Sequence, residues 1–485
     1  MTHPSTVIIG AGPAGLTSAY ELAKNGHSTV VLEQGDRVGG ISRTETYNGY
    51  RFDIGGHRFY TKVKEVEQLW EEVLGDEMIS VPRLSRIYYD GVFFNYPLEP
   101  KDALLKLGFW NSLAIVLSYL KSRVSPLPQE EDLESWVINR FGERLYHTFF
   151  KTYTEKVWGI PCDQIRADWA AQRIRGLSLK KAITDAFFGS TDTKTLIKSF
   201  VYPRLGPGMM WERFQTLLEQ KGNPVHLNTG VVRIEREGFR ITRVVAEQNG
   251  SPVTFEGNHF VSSMPVSKLL QYMNPAPPEE VMHAARSLKY RDFLIVALMV
   301  DAPDLFPDNW IYIHSPKFQV GRIQNFKNWS PEMVPDSSKT CLGMEYFCSQ
   351  GDALWETSDA DLIKLASQEA RGLGLVQPSM AIEDGTVIRQ RKAYPVYDAE
   401  YRQHLQVIQD YIECFENLQT VGRNGMHRYN NQDHSMLTGL LAARNIIGEQ
   451  HPLWDVNTER SYYEEFERSK AEVAVPVGAQ QLQYS

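Results

Sequence analysis

The sequence predicts an α/β fold in which a parallel-sheet unit is interleaved with a helical unit and an antiparallel-sheet unit. Three observations carry this. An apolar run, TVII at 6–9, is followed at once by GAGPAG, a helical stretch and a second apolar run. Residues 101–200 are mostly helix-forming, with heavy apolar content at 103–120 and 136–151. Strand-like runs FLIVALMV (293–300), NWIYIH (309–314) and TCLGMEYFC (340–348) follow later. At 485 residues the chain has room for roughly three domains, at about 150 residues each. It has no repeat and no low-complexity linker, which points to units threaded through one another. The expected division is a first unit from 1–65, 203–275 and 386–450, a helical unit at 66–202, a sheet unit at 276–385, and a helix and tail at 451–485.

The first element is the most specific. TVII suits a buried parallel strand, and Gly10, Gly12 and Gly15 satisfy GxGxxG in the turn that follows. In such a turn Gly10 permits the bend, Gly12 lets the backbone approach a pyrophosphate, and Gly15 lets the helix pack closely; Pro13 and Ala14 open that helix. The helix is expected over Ala14–Lys24, stopped by Asn25-Gly26. A second strand, STVVLE, ends at Glu33, 18 residues after Gly15, where a carboxylate can accept both ribose hydroxyls of an adenosine. Strand, glycines, helix, strand and acid in register make a Rossmann-like dinucleotide site, and the acid favours an unphosphorylated ribose, hence FAD or NAD.

The next segments favour FAD. Arg37-Val38-Gly39-Gly40 is a second glycine-arginine turn, and RFDIGGHRFY at 51–60 brings Gly56 and His57. A second glycine loop exceeds what NAD needs and suits the longer FAD. VHLNTGVVRIE at 225–235 reads as a strand pair whose backbone, at Val232, edges the adenine. NLQTVGRNGMHRYNNQDHS at 417–435 reads as a strand, a turn at Gly422 and Arg423, and a helix opening near Asp433. The positive end of that helix, with Asn431, Gln432, Asp433 and Ser435, suits charge on a reduced flavin. Asp433 and His434 are adjacent at a helix start and are expected not to face one another. YYDGVFF at 88–94 alternates around Asp90-Gly91, a hairpin signal that adds to the antiparallel sheet.

Composition bounds the partners. Lys plus Arg is 51 and Asp plus Glu 59, so the net charge is −8 and general nucleic-acid binding is excluded. Four scattered cysteines, Cys162, Cys341, Cys348 and Cys414, form no CxxC pair and point to a reducing, cytoplasmic compartment. No Cys/His cluster or HExxH suggests a metal. The apolar stretch LGFWNSLAIVLSYL at 107–120 is shorter than the roughly 20 residues that span a bilayer. It reads as a buried core helix, with a membrane-surface helix as the minor alternative.

Together these motifs resemble the flavin superfamily of amine oxidases, protoporphyrinogen oxidases and UDP-galactopyranose mutases, and most of all the mutases. YTEKVWG (153–159) is similar to a run that family carries beside its substrate, and places Trp158 there. DWAAQRIRG (168–176) offers Arg173, and GRIQNFKNWSP (321–331) offers Arg322, at the places of the family's two diphosphate-binding arginines. AYP (393–395) puts Tyr394 near the substrate, and RYNNQDHS (428–435), with Tyr429, resembles the closing motif beside the flavin. YPRLGPGMMW (202–211) departs from the family's richer glycine run at Leu205, Pro207 and Met209, and the closing motif is two residues short.

The resemblance implies a flavin-dependent pyranose–furanose mutase acting on a nucleotide-diphosphate sugar, with N5 of reduced FAD as nucleophile at the anomeric carbon and no net electron consumption. NAD(P)H or another reductant would keep the flavin reduced. Arg173 and Arg322 would hold the diphosphate through guanidinium forks. Tyr394 and Tyr429 would donate to it, Trp158 would wall the sugar, and His57 would lie on the flavin. The alternative is an FAD-dependent oxidoreductase of the amine oxidase or protoporphyrinogen oxidase type.

Overall fold

The computed structural model describes residues 5–96, 98, 100–167, 195–196, 199–457 and 465–466. Strand β1 (Thr6–Ile9) and strand β2 (Thr29–Leu32) run parallel, joined by helix α1 (Pro13–Lys24). Both strands are buried along their length, which is why they read as unbroken apolar runs instead of alternating ones. The sheet they start has five parallel strands, ordered Val225–His226, β2, β1, His259–Ser262 and Leu418–Thr420. Alternate residues face opposite layers. Ile8, Val31 and Val261 pack under α1 and the final long helix, α2 (Gln432–Ile447), while Val7, Ile9, Val30 and Phe260 pack on Leu269, Ile408 and Phe415.

Val225–His226 extends this sheet, whereas Thr229–Glu237 turns away into a separate four-stranded sheet. The two halves of the expected strand pair therefore serve different sheets. They meet at the end of β2, where Thr229 N–H donates to Glu33 O at 2.7 Å.

A seven-stranded sheet forms the second layer, ordered Ile382–Pro395, Tyr290–Val300, Thr340–Cys348, Arg322–Asn325, Trp310–Ile313, Ser85–Tyr89 and Val92–Asn95. Its pairs are antiparallel except Trp310–Ile313 with Ser85–Tyr89. The hairpin turns on Asp90 (φ 45°) and Gly91 (φ 84°), the positive pair a two-residue turn demands. Ile382–Pro395 pairs with Tyr290–Val300 from Val300↔Ile382 to Tyr290↔Pro395, so this sheet runs past the boundary expected at residue 385. Tyr290–Val300 is buried from Asp292 onward and needs partners along both edges. Tyr394 thus reaches the site from the end of a strand.

The helical layer runs through Pro100–Leu107, Phe109–Val124, Leu133–Phe141 and Thr152–Trp158. Asp132 caps the third, accepting from Ser135 N–H at 2.7 Å. The expectation of a buried helix at 107–120 is corrected. In Phe109–Val124 only Ile115 and Ser122 are buried, and Phe109, Trp110, Leu113, Leu117, Leu120 and Val124 are exposed. An apolar run has the same composition whether protein or something else covers it, and the neighbouring Leu133–Phe141 covers one narrow face.

Candidate active site

The dinucleotide end is built by β1 and β2. Gly10 N–H donates to Leu32 O at 2.8 Å, and its φ of 98° turns the chain into α1. Gly12 is the N-cap of α1 and no side chain caps the helix, so its first N–H groups and positive end form an anion seat, with Pro13 and Ala14 behind it. The glycines have different duties. A Cβ at Gly15 would sit 2.0 Å from Gly10 O, whereas one at Gly12 would meet only Gly40 Cα, at 3.9 Å. The fold needs Gly15 to be glycine, whereas the space beside Gly12 is left open.

Glu33 pins this loop: one oxygen accepts from Ala11 N–H at 2.8 Å and the other from Gly35 N–H at 2.9 Å. A carboxylate has capacity for further donors such as ribose hydroxyls. The second glycine turn lies against the first through Gly39 N–H to Ala11 O at 2.8 Å, with both Gly39 and Gly40 at positive φ. Val232 stands in a bulge between Val231 and Arg233 on the strand that starts beside Glu33. Gly422, at φ 79°, donates its N–H to Thr438 Oγ1 at 3.0 Å and packs on Ala14.

At the other end, sheet, helix and loop meet. Helix α2 opens at Asn431 without a side-chain cap, and Gln432, Asp433 and Ser435 are buried in its first turn. Gln432 Nε2 donates to Arg58 O at 2.9 Å, tying the Gly56-His57 loop to this helix end. Gly56 itself packs on Gln324 and Trp329. Burial first, then the charges of Arg423 and Arg322, push His57 down to about 3, so the ring is neutral. Its Nδ1 and the Gln432 Oε1 are both buried without a partner. Two orphaned polar atoms at one end, an uncapped helix, and a gap between Gly12 and Gly40 at the other fit FAD laid across the sheet edge.

Arg322 starts its strand directly opposite Glu345. Its Nε and Nη2 bind the same Glu345 oxygen at 2.7 and 2.5 Å, and Gln324 Nε2 takes the other oxygen at 2.7 Å. Burial works against the Arg322 charge, but Glu345 overrides it and holds the guanidinium well above its ordinary value. Arg423 lies over Tyr429 at 4.8 Å and over Tyr394 at 5.5 Å, fixed by bonds to Asn430 O at 2.9 Å and Ala393 O at 3.1 Å. Tyr394 and Tyr429 stack at 5.6 Å and 16°, and buried Trp158 stands 6.5 and 6.3 Å from them.

The helix carrying Trp158 is fastened by Lys156, whose ammonium donates to four carbonyls, Ile313, Ser315, Phe318 and Val320, at 2.9–3.2 Å. Burial lowers it to about 8. One turn earlier Tyr153 stacks on His314 at 4.6 Å and 7°.

Beneath the second glycine turn, Asp53 is fully buried and accepts from Thr44 Oγ1 at 3.0 Å and from Tyr202. Burial pushes it up to about 8, against those two bonds. His314 and His427, like His57, are pushed down by burial, to about 3 and about 4. As pH falls below the ordinary histidine value of 6.5, the unfolded chain takes up these three protons and the native state does not, so stability drops. Asp53 acts in the opposite direction: its contribution is full below 3.8 and is lost as pH rises through about 8. Three groups outweigh one between about pH 4 and 6, and Asp53 acts without the histidines above 6.5. Urea unfolding will therefore give a stability maximum near pH 6–7, and a steady rise from pH 4 to 8 would refute the assignment.

The structure brings His57, Trp158, Arg322, Tyr394 and Tyr429 into one cluster, though their numbers span most of the chain. Arg173 lies outside the described residues. Arg423, read from sequence as a cofactor residue, lies over the Tyr394–Tyr429 stack. Asp433 and His434 do approach, Oδ1 to Nδ1 at 3.5 Å, contrary to the expectation for neighbours at a helix start. Glu345, Lys156 and Gly439 escaped the sequence reading. Gly439 sets the crossing of α2 over α1, since a Cβ there would lie 2.2 Å from Ala14 O. The spacing of a small residue beneath Ala14 has no local signal; Glu345 alone carries one, as a lone acid in the apolar run TCLGMEYFC.

Comparison with known proteins agrees with this geometry. Among solved structures, reduced UDP-galactopyranose mutase superposes with a TM-score of 0.83 at 20% identity, covering 94% of this chain and 97% of that one, a likeness of fold. Among curated proteins, one named a flavin-containing monoamine oxidase in Mycobacterium tuberculosis is 26% identical over 287 residues, 56% of this chain and 60% of its own length. One named a UDP-galactopyranose mutase in Klebsiella pneumoniae is 25% identical over 174 residues, 34% of this chain and 44% of its own length. The chain thus spans about half the length of the curated relatives it matches. The model of the flavin containing amine oxidoreductases matches residues 13–391, well over half the chain, from the first residue of α1 into the strand that carries Tyr394. With a glycine cleft, an acid at Glu33 and orphaned polar atoms that fit FAD, the chain belongs to the family of flavin-containing amine oxidoreductases and takes FAD as its cofactor.

Proposed function

We infer that the chain is a pyranose–furanose mutase acting on a nucleotide-diphosphate sugar. The observation that carries this reading is the pairing of two guanidiniums, Arg322 and Arg423, around a neutral His57 and a three-ring aromatic box. Bound in reduced form, FAD supplies a nucleophilic N5 for the anomeric carbon. The chain's own residues do the rest. Glu345 occupies Nε and Nη2 of Arg322, which leaves Nη1 for a phosphate oxygen and fixes the fork before substrate arrives. Burial holds the Tyr394 hydroxyl well above its ordinary value, so it stays protonated as a donor to the same oxygens. A departing diphosphate is stabilised by charge and needs no proton, which suits an uncharged His57. Trp158 and the Tyr394–Tyr429 stack give flat apolar walls for a sugar ring. Arg173 would supply a second phosphate contact.

The second reading is an oxidoreductase, supported by the oxidase relatives and by aromatic walls that equally suit an apolar substrate. Two guanidiniums in the cluster oppose a cationic amine. The test is direct. The FAD-loaded protein is reduced anaerobically with NADPH or dithionite and given UDP-, dTDP- and GDP-hexoses, with products followed by NMR. Ring-contracted sugar without net flavin oxidation supports the mutase. Stoichiometric flavin turnover, or peroxide formed from an amine in air, overturns it.

A further inference from the structure

We propose that the helix Phe109–Val124 seats the protein on an anionic lipid bilayer surface, lying in the headgroup plane. Its outer face is a continuous apolar stripe: Phe109 is 72% exposed, Trp110 79%, Leu117 57%, Leu120 50% and Val124 87%. Leu105, in the preceding helix, extends it at 82%. Positions 109, 113, 117, 120 and 124 recur at three- and four-residue steps, so these side chains share one side of the helix. Single exposed apolar residues are ordinary on a protein surface, but a contiguous stripe this long is an interaction surface.

The occupant follows from charge. Residues 100–124 hold four basic residues, Lys101, Lys106, Lys121 and Arg123, against the lone acid Asp102, in a chain whose net charge is −8. Lys121 is 77% exposed, its ammonium 3.9 Å from the exposed carboxylate of Glu143, and Arg123 is also exposed, both in the last turn beside Val124. Next to them opens a polar cleft lined by Ser122, Arg123, Pro126, Glu130, Asn139 and Arg140, where Arg123 faces solvent. Aromatic residues at one end, aliphatic ones along the face and cations at the margin make up an interfacial helix. A second copy of the chain fits less well. Antiparallel pairing of two such helices sets the apolar Phe109–Trp110 end against Lys121 and Arg123 of the other copy, and parallel pairing sets each of these cations against itself. Nor does the helix cross a bilayer: among the described residues none is long and apolar enough.

The test is vesicle flotation of the full FAD-loaded chain. Vesicles of phosphatidylcholine alone are compared with vesicles containing about a third phosphatidylglycerol. The protein should float with the anionic vesicles at low salt and be released by high salt. Lys121→Ala and Arg123→Ala should each weaken binding about fivefold. Phe109→Ser with Trp110→Ser should weaken it tenfold or more, with circular dichroism and FAD content unchanged. Flotation with neither vesicle, equal flotation with both, or unaltered flotation of the serine variant overturns the proposal. So does a dimer that Leu117→Glu dissociates while the wild type ignores anionic vesicles.

Discussion

Gly12→Ala will fold normally and bind FAD weakly, whereas Gly15→Ala will destabilise the fold itself. Gly12 has φ −80° and ψ −177°, a conformation alanine adopts freely, and its new Cβ would meet only Gly40 Cα at 3.9 Å. Stability should change by about 1 kcal/mol or less. That methyl group nevertheless occupies the gap over the uncapped start of α1, where the pyrophosphate must approach the backbone. Losing two charge-assisted bonds, each worth about 1.5–3 kcal/mol, should weaken FAD binding a hundredfold or more. At Gly15 the obstacle is backbone: the added Cβ would fall 2.0 Å from Gly10 O and 3.2 Å from Ile8 Cγ2. Neither β1 nor the turn can retreat inside the sheet, so α1 must lift away at a cost of about 3 kcal/mol or more. Urea unfolding of the apoproteins and FAD titration separate the two effects. A Gly12→Ala protein that retains FAD at wild-type stoichiometry and affinity would show that the cleft is not the phosphate seat.

Arg322 offers the second large effect, and alanine is the wrong probe of its binding role. Glu345 has no exposed side-chain surface, and Arg322 is its cation. Arg322→Ala strands a buried carboxylate, which should cost about 3–5 kcal/mol of stability. Arg322→Lys keeps a cation for Glu345 but removes the fork, so the fold should survive while nucleotide-sugar affinity falls tenfold or more. Arg322→Met with Glu345→Leu removes both charges and should recover most of the stability lost in the alanine variant. Calorimetric titration with UDP-sugar and urea unfolding provide the two readouts. If the lysine variant binds UDP-sugar as tightly as the wild type, Arg322 serves the sheet and not the substrate.

What was legible in the sequence divides along a physical line. The β1–α1–β2 unit and Glu33 could be read residue by residue, because a glycine turn, a helix and two buried strands are all specified within about 30 neighbouring positions. The Asp90-Gly91 hairpin was legible for the same reason. The cluster was not, because His57, Trp158, Arg322, Tyr394, Arg423 and Tyr429 meet only through long-range packing, and periodicity carries no record of that. Resemblance brought five of these together, and Arg423 found its place among the tyrosines only in three dimensions. Lys156 looked like any surface lysine until four carbonyls closed on it. The apolar run at 107–120 exposed the converse weakness: hydrophobicity predicts that something will cover a helix, without saying what.

The parallel sheet also constrains how the molecule comes into being. Its order places β1 between strands that the ribosome delivers some 20 and 250 residues later, and the edge at His259–Ser262 is covered only by Leu418–Thr420. Until then an unpaired apolar edge stands open through the synthesis of more than 150 residues, a template for pairing with a neighbouring nascent chain. The helix that closes over α1, Gln432–Ile447, emerges later still. Cofactor capture is therefore a late event, and growth conditions that slow elongation lengthen the interval in which aggregation competes with it.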